Sequence, residues 1–297
     1  MMTEKAGAQF KVLLGDDRSE HALAALALLE ELPLAAGTDV TVFRAYSPTQ
    51  ATDVVLMEDA LNQTCARLKQ KGFTAHPELL LGVPTVKFLK HAEEQRPDLI
   101  IIGAKGLRAT TGILVGGVAQ QVVEYAPCPV LVVRAPYRGL RQVMFVTDGS
   151  AASQHTLEFL CQLPLPKESR LWVLHVLTPP PLPMVFMQTP LGGAPVAMID
   201  DLQNAELQEK EEKEGQFLVD HDCRVLAAHG KPATALLKRG DAASEIIAAV
   251  REHSIDLLVT GSRGHSPIRS WMMGSVSRKL VHYSGCSVLV VRQKPVS

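Results

Sequence analysis

Residues 256–292 read DLLVTGSRGHSPIRSWMMGSVSRKLVHYSGCSVLVVR, and this stretch decides the fold. Residues 256–260 form a largely apolar run that ends at Gly261, the pattern of a buried strand. Gly261, Ser262, Arg263 and Gly264 follow as a turn. After nine further residues Gly274 and Ser275 open a helix that runs to about Tyr283, and residues 288–292 return as a second buried strand. A glycine-rich turn leaving a parallel strand lets an anion approach the backbone, because no Cβ stands in the way. A helix opening at Ser275 offers its first N–H groups and the positive end of its dipole. The Ser275 hydroxyl and the Arg263 guanidinium add hydrogen-bond donors for the same anion.

The stretch occurs twice. Residues 98–134 read DLIIIGAKGLRATTGILVGGVAQQVVEYAPCPVLVVR, and Gly103, Gly106 and Gly116 match Gly261, Gly264 and Gly274 at a constant offset (261 − 103 = 158). Both copies end in VLVVR. The beginnings match as well, residues 11–32 with 142–163, at an offset of 142 − 11 = 131. The difference, 27, is a net insertion within the second copy. This is a repeat of domain size, not a short solenoid period.

Each copy alternates strand and helix. In the first, strands are expected at 11–15, 39–46, 74–81, 99–103 and 130–134, with helices at 20–32, 57–70, 85–95 and 117–125 between them. Such alternation implies a parallel sheet with helices on both faces and right-handed crossovers. The expected architecture is therefore α/β, two tandem doubly wound five-stranded sheets of Rossmann-like type. The domains are expected at 1–136 and 142–297, with a short linker between them.

The chain has 297 residues, enough for about two domains. A net charge of −1 argues against nucleic acid or an anionic membrane as partner. No apolar run reaches the ~18 residues needed to cross a bilayer. The start, MMTEKAGAQFK, carries no apolar signal-peptide core. Five cysteines without a C-x-x-C point away from a disulfide framework or zinc ribbon. A reducing cytoplasm is the expected location.

The spacing G-x-x-G, nine residues, G-S resembles the nucleotide-binding signature of universal stress proteins, and the resemblance covers nearly the whole chain, twice. It is neither a Walker loop nor a G-x-G-x-x-G fingerprint. The resemblance implies a nucleotide-binding stress-response protein that works through conformation and partners. ATP, with Mg, is the implied cofactor. Carried over position by position, its contacts fall on Asp148-Gly149 and Val176 at the adenosine end and on Thr260-Gly261. The phosphates fall to Arg263, Gly264, Gly274, Ser275 and Val276. A weaker first-domain site comprises Asp17, Gly103, Lys105, Gly106, Gly116 and Gly117. The resemblance also implies an intrachain pseudo-dimer through the two VLVVR strands, with a homodimer of whole chains as a further association.

The two copies differ at the ligand edge. The first has Gly117 where the second has Ser275, Arg18 for Gly149, and Ala45 for Val176, but it keeps a positive charge at Lys105. Nucleotide binding is therefore expected mainly in the second copy. The glycines also admit a purely structural reading, in turns and helix packing, and a nucleotide-independent scaffold stands as the alternative function. No paired carboxylates, placed base or nucleophile elbow appear, so neither catalytic residues nor metal ligands are assigned. ATP hydrolysis, if it occurs, is expected to be slow.

The insertion, 178–200, is rich in Pro, Met and Gly and is expected to be an irregular loop. It reads as a lid over the nucleotide, a docking surface or a passive loop. The charge run 209–214 reads as a solvated helix face. His221, Asp222 and Cys223, taken as strand neighbours pointing to alternate faces, are not expected to share an ion. Cys128 and Cys286 read as buried apolar fill.

Overall fold

A computed structural model of the chain describes residues 9–48, 53–106, 114–179, 201–264 and 273–292. The first copy comprises β1 (Lys11–Gly15), α1 (Glu20–Glu31), β2 (Asp39–Tyr46), α2 (Val54–Gln70), β3 (Thr74–Leu81), α3 (Pro84–Gln95), β4 (Leu99–Gly103), α4 (Gly117–Tyr125) and β5 (Val130–Val133). The second repeats the order with β6 (Gln142–Val146), α5 (Ala151–Gln162), β7 (Arg170–Leu177), α6 (Asp201–Ala228), β8 (Ala233–Arg239), α7 (Ala242–Glu252), β9 (Leu257–Gly261), α8 (Ser275–Tyr283) and β10 (Ser287–Val291).

The strands form one ten-stranded sheet in the order β3-β2-β1-β4-β5-β10-β9-β6-β7-β8. Pairings within each copy are parallel, and β5 meets β10 antiparallel with Leu131 opposite Leu289. The strands are apolar at successive positions because helices cover both faces. Ile100, Ile102, Val130, Val132, Val288 and Val290 join a core with α3, α4, α7 and α8. Their neighbours Ile101, Leu131, Val133, Leu289 and Val291 join a second core with α1, α2, α5 and α6. Both cores run unbroken through the β5–β10 junction.

The arginines that end the two VLVVR runs reach across that junction. Arg292, 7% exposed, donates through Nη1 to the carbonyls of Val123, Glu124 and Ala126 at the end of α4. Arg134 donates through Nη2 to Val281 and His282 at the end of α8, at 2.8 and 3.0 Å. It donates through Nη1 to Leu114, at 2.9 Å. Each copy thus supplies a cation to the negative end of a helix in the other. Arg278 and Glu124 add an ion pair between α8 and α4 at 3.2 Å.

One expectation changes. α6 extends to Ala228, so His221, Asp222 and Cys223 lie in a helix rather than a strand. His221 Nδ1 sits 3.0 Å from Asp222 Oδ1, and burial pushes the Cys223 thiol up to about 11. Residues 209–214 also lie on α6, where Glu209 pairs with Lys213 at 2.6 Å and Lys210 with Glu214 at 3.8 Å.

Candidate functional site

In each half of the sheet the strand order reverses between β1 and β4, or between β6 and β9. At such a switch point the loops leaving the carboxyl ends of two neighbouring strands diverge and open a crevice. The loop after β1 begins the helix α1 through Ser19, whose hydroxyl accepts the Ala22 N–H at 3.2 Å. Ser150 does the same for α5, accepting from Ser153 N–H at 3.3 Å. Both loops need a left-handed residue before that cap, Gly149 at φ 76° and Arg18 at φ 65°. Glycine takes this conformation at little steric cost, whereas Arg18 takes it with strain. The Arg18 side chain is exposed and does not line the crevice.

Asp17 and Asp148 tie this loop to the signature loop after β4 or β9. Asp148 Oδ1 accepts the Ser150 N–H at 3.0 Å, and Asp17 Oδ1 accepts the Ser19 N–H at 3.0 Å. Their other oxygens lie against the second signature glycine. A Cβ on Gly264 would come within 2.3 Å of Asp148 Oδ2, and one on Gly106 within 2.4 Å of Asp17 Oδ2.

The three signature glycines therefore have different reasons. Gly103 packs on the backbone of α1, with an added Cβ 2.7 Å from the His21 carbonyl carbon. Gly261 is also close-packed, with contacts at 3.2 and 3.3 Å. Gly106 and Gly264 make room for the aspartate. Gly116 and Gly274 meet nothing nearer than 3.5 Å, so the fold itself does not require glycine there.

Gly116 and Gly274 are the N-caps of α4 and α8, and neither helix has a side-chain cap. Each glycine N–H closes the signature loop by donating to Ala104 or Ser262 at 2.8 Å. The first-turn amides of α8 belong to Ser275, Val276 and Ser277, and Ser275 is exposed. Ser277, not singled out from the sequence, donates to the Gly261 carbonyl at 2.8 Å, and Thr260 Oγ1 donates to the same oxygen at 3.2 Å. These two hydroxyls hold the loop. Arg263 Nε is buried and, among the described residues, has no hydrogen-bond partner. The buried Arg292 guanidinium has its pKa lowered by burial first and then by the charge of Arg263. Arg263 thus brings a cation, with a donor unfilled among the described residues, beside the start of α8, an arrangement that an anion relieves. Val176 and Val276 pack partly buried on the same core.

In the first copy a cavity of about 310 Å³ opens at the switch point. Asp17, Gly103, Lys105, Gly106, Gly116 and Gly117 all line it, so the structure brings together all six residues expected for that copy. Ala45 forms part of the wall. The floor was not anticipated. It includes Phe43 and Phe88, whose rings meet edge to face with centroids 5.1 Å apart. Gly15 admits the Phe88 ring, because a Cβ there would lie 3.2 Å from it. The sequence carried one signal for this room: Gly15 stands where the second copy has Val146.

Residues 180–200 of the insertion and 265–272 of the second signature loop lie outside the described residues, and the lid and docking readings of 178–200 lie there with them. Among the described residues no group of three or more His, Cys, Asp or Glu side chains could hold a metal ion. No described helix is long and apolar enough to cross a membrane.

A model of the universal stress protein family matches residues 10–134 and again 139–292. The chain is 30% identical over 154 residues to universal stress protein YxiE of Bacillus subtilis, covering 51% of this chain and 98% of the relative. It is 25% identical over 297 positions to a universal stress protein of Synechocystis, covering 98% of this chain and 92% of the relative. A solved universal stress protein from Archaeoglobus fulgidus superposes with a TM-score of 0.64 at 19% identity, covering 97% of each chain, a likeness of fold.

Proposed function

The chain belongs to the universal stress protein family, and on that premise we propose that it binds an adenine nucleotide, mainly in its second copy, as a regulatory protein of the stress response. The observation that carries the reading is the start of α8. There Arg263 Nε is buried without a partner among the described residues, Gly274 is not demanded by packing, and Ser275 adds an exposed hydroxyl beside amides without a side-chain cap. Phosphate oxygens satisfy such donors. In this reading Asp148, Gly149 and Val176 flank the adenosine, while Thr260, Gly261, Arg263, Gly264, Gly274, Ser275 and Val276 form or support the phosphate cradle. Magnesium accompanies the ATP.

The protein acts as a binding protein rather than a dedicated enzyme. The Asp148 carboxylate is engaged with the Ser150 N–H and packed against Gly264, which suits a positioning role better than water activation. The antiparallel β5–β10 pairing supports reading the chain as an internal pseudo-dimer. An odd number of cysteines without a C-x-x-C supports a reducing cytoplasm.

Isothermal titration of nucleotide-stripped protein with Mg-ATP tests this. Arg263→Ala is expected to weaken binding about tenfold to a hundredfold, from the ~1.5–3 kcal/mol of a hydrogen bond to a charged group. Gly274→Ala with Ser275→Ala is expected to abolish it with circular dichroism unchanged. Absence of binding by the intact chain, or unchanged binding by the double variant, refutes the reading.

A further inference from the structure

The first copy's cavity differs from its twin in a consistent direction. Ala22, Ile102, Gly117 and Ala119 line it where the second copy has Ser153, Thr260, Ser275 and Ser277. Every one of these four exchanges removes a hydroxyl. Gly15 and Ala45 stand where the second copy has Val146 and Val176, which widens the cavity, and the floor is two phenylalanine rings.

The charges on the wall are unequal in their availability. Asp16 Oδ2 accepts from Thr64 Oγ1 at 2.6 Å and its Oδ1 from the Arg18 N–H at 2.9 Å. Asp17 is tied to Ser19 and packed on Gly106. Both carboxylates are thus held by the fold. Lys105 and Arg44 also line the cavity, and neither has an ion pair among the described residues. A Cβ on Gly117 would meet nothing within 4 Å, so space remains open at the start of α4.

We infer that the first copy binds an amphiphilic monoanion: an apolar body in the cavity and one carboxylate or comparable acidic group at Lys105 beside the α4 amides. A cavity of about 310 Å³ lies at the small end of the ~300–1,000 Å³ range of ligand pockets. Such a cavity suits a medium aliphatic chain or a fused pair of rings. An apolar body gains from leaving water without needing hydroxyl partners, which this wall lacks. The inference does not depend on nucleotide binding by the second copy.

Full-length protein is titrated with sodium decanoate and with sodium 2-naphthoate, following protein-observed NMR and heat. One saturable site per chain is expected, with decanol at least tenfold weaker. Lys105→Gln weakens the acid at least tenfold by removing its counter-charge. Ile102→Thr, which installs the residue the second copy tolerates at the same place, weakens it about tenfold. A stronger decanoate signal identifies an aliphatic ligand and a stronger naphthoate signal an aromatic one. Absence of a saturable site, affinity indifferent to Lys105→Gln, or displacement of the acid by equimolar ATP overturns the inference. Mg-ATP binding to the second copy is measured on the same samples, and its failure bears on the earlier proposal alone.

Discussion

Arg292→Met removes the cation that the second copy places at the end of α4 while keeping most of the apolar stem. Three carbonyls, of Val123, Glu124 and Ala126, lose their donor. Hydrogen bonds from a charged group contribute about 1.5–3 kcal/mol, and a partly buried cation at a helix C-terminus up to ~2 kcal/mol. Against this stands the cost of burying the guanidinium, visible in the lowering of its pKa by burial. We expect a net loss of about 2–3 kcal/mol. Unfolding entropy of ~2.1 cal/mol/K per residue over 297 residues comes to about 0.6 kcal/mol/K, so Tm should fall by about 4 °C. Differential scanning calorimetry at pH 7.5 reads this directly. Arg292→Lys keeps the charge but not the fork, and should recover part of the loss. Arg134→Met should cost a similar amount through Val281, His282 and Leu114. If both methionine variants melt within about 1 °C of the parent, the crossed arginines do not hold the copies together and the argument is wrong.

The signature glycines should separate by their reasons. Gly106→Ala and Gly264→Ala push a methyl into an aspartate and should each cost about 1–3 kcal/mol in urea denaturation, whereas Gly274→Ala, at φ −64°, should change stability by less than about 1 kcal/mol. His21, whose Nδ1 accepts the Ala135 N–H at 2.8 Å, has its pKa lowered by burial first, with Lys105 and Arg134 adding to the effect and Glu20 opposing it. A lowered histidine binds its proton more readily unfolded, so its stabilisation is complete above the unfolded value of about 6.5 and is lost as pH falls through the folded one. Stability should therefore drop between pH 7 and pH 5, and His21→Gln should flatten that slope in chemical denaturation. Burial raises the Cys223 and Cys286 thiols to about 11, so both should react far more slowly with a thiol reagent at pH 8 in native than in unfolded protein, as read by mass spectrometry of the labelled peptides.

The architecture was legible because it rests on periodicity and repetition, which are properties of the linear chain. Runs such as LIIIG and VLVV mark strands covered on both faces, and the constant offset aligned two signature loops without a structure. The site was legible in part. The positions of Asp17, Lys105 and Gly117 followed from the family resemblance and the match between the two copies, but neither can show a void. The first copy's cavity arises from Gly15 and Ala45 standing beside two phenylalanines that are far apart in sequence, and volume belongs to the packed state. The reach of Arg134 and Arg292 into the opposite copy was hidden for the same reason, since a repeated VLVVR ending reads equally well as a strand terminus. Residues 221–223 were misread as a strand because their polar character carries no period, and α6 simply continues through them.

The account turns on the start of α8, and crystals of the full chain soaked with Mg-ATP examine it most directly. It predicts phosphate density within hydrogen-bond distance of the Ser275 and Val276 amides and of Arg263 Nε, with the adenosine toward Asp148 and Val176. An empty crevice in the second copy at saturating Mg-ATP, or phosphate bound by other residues, contradicts it.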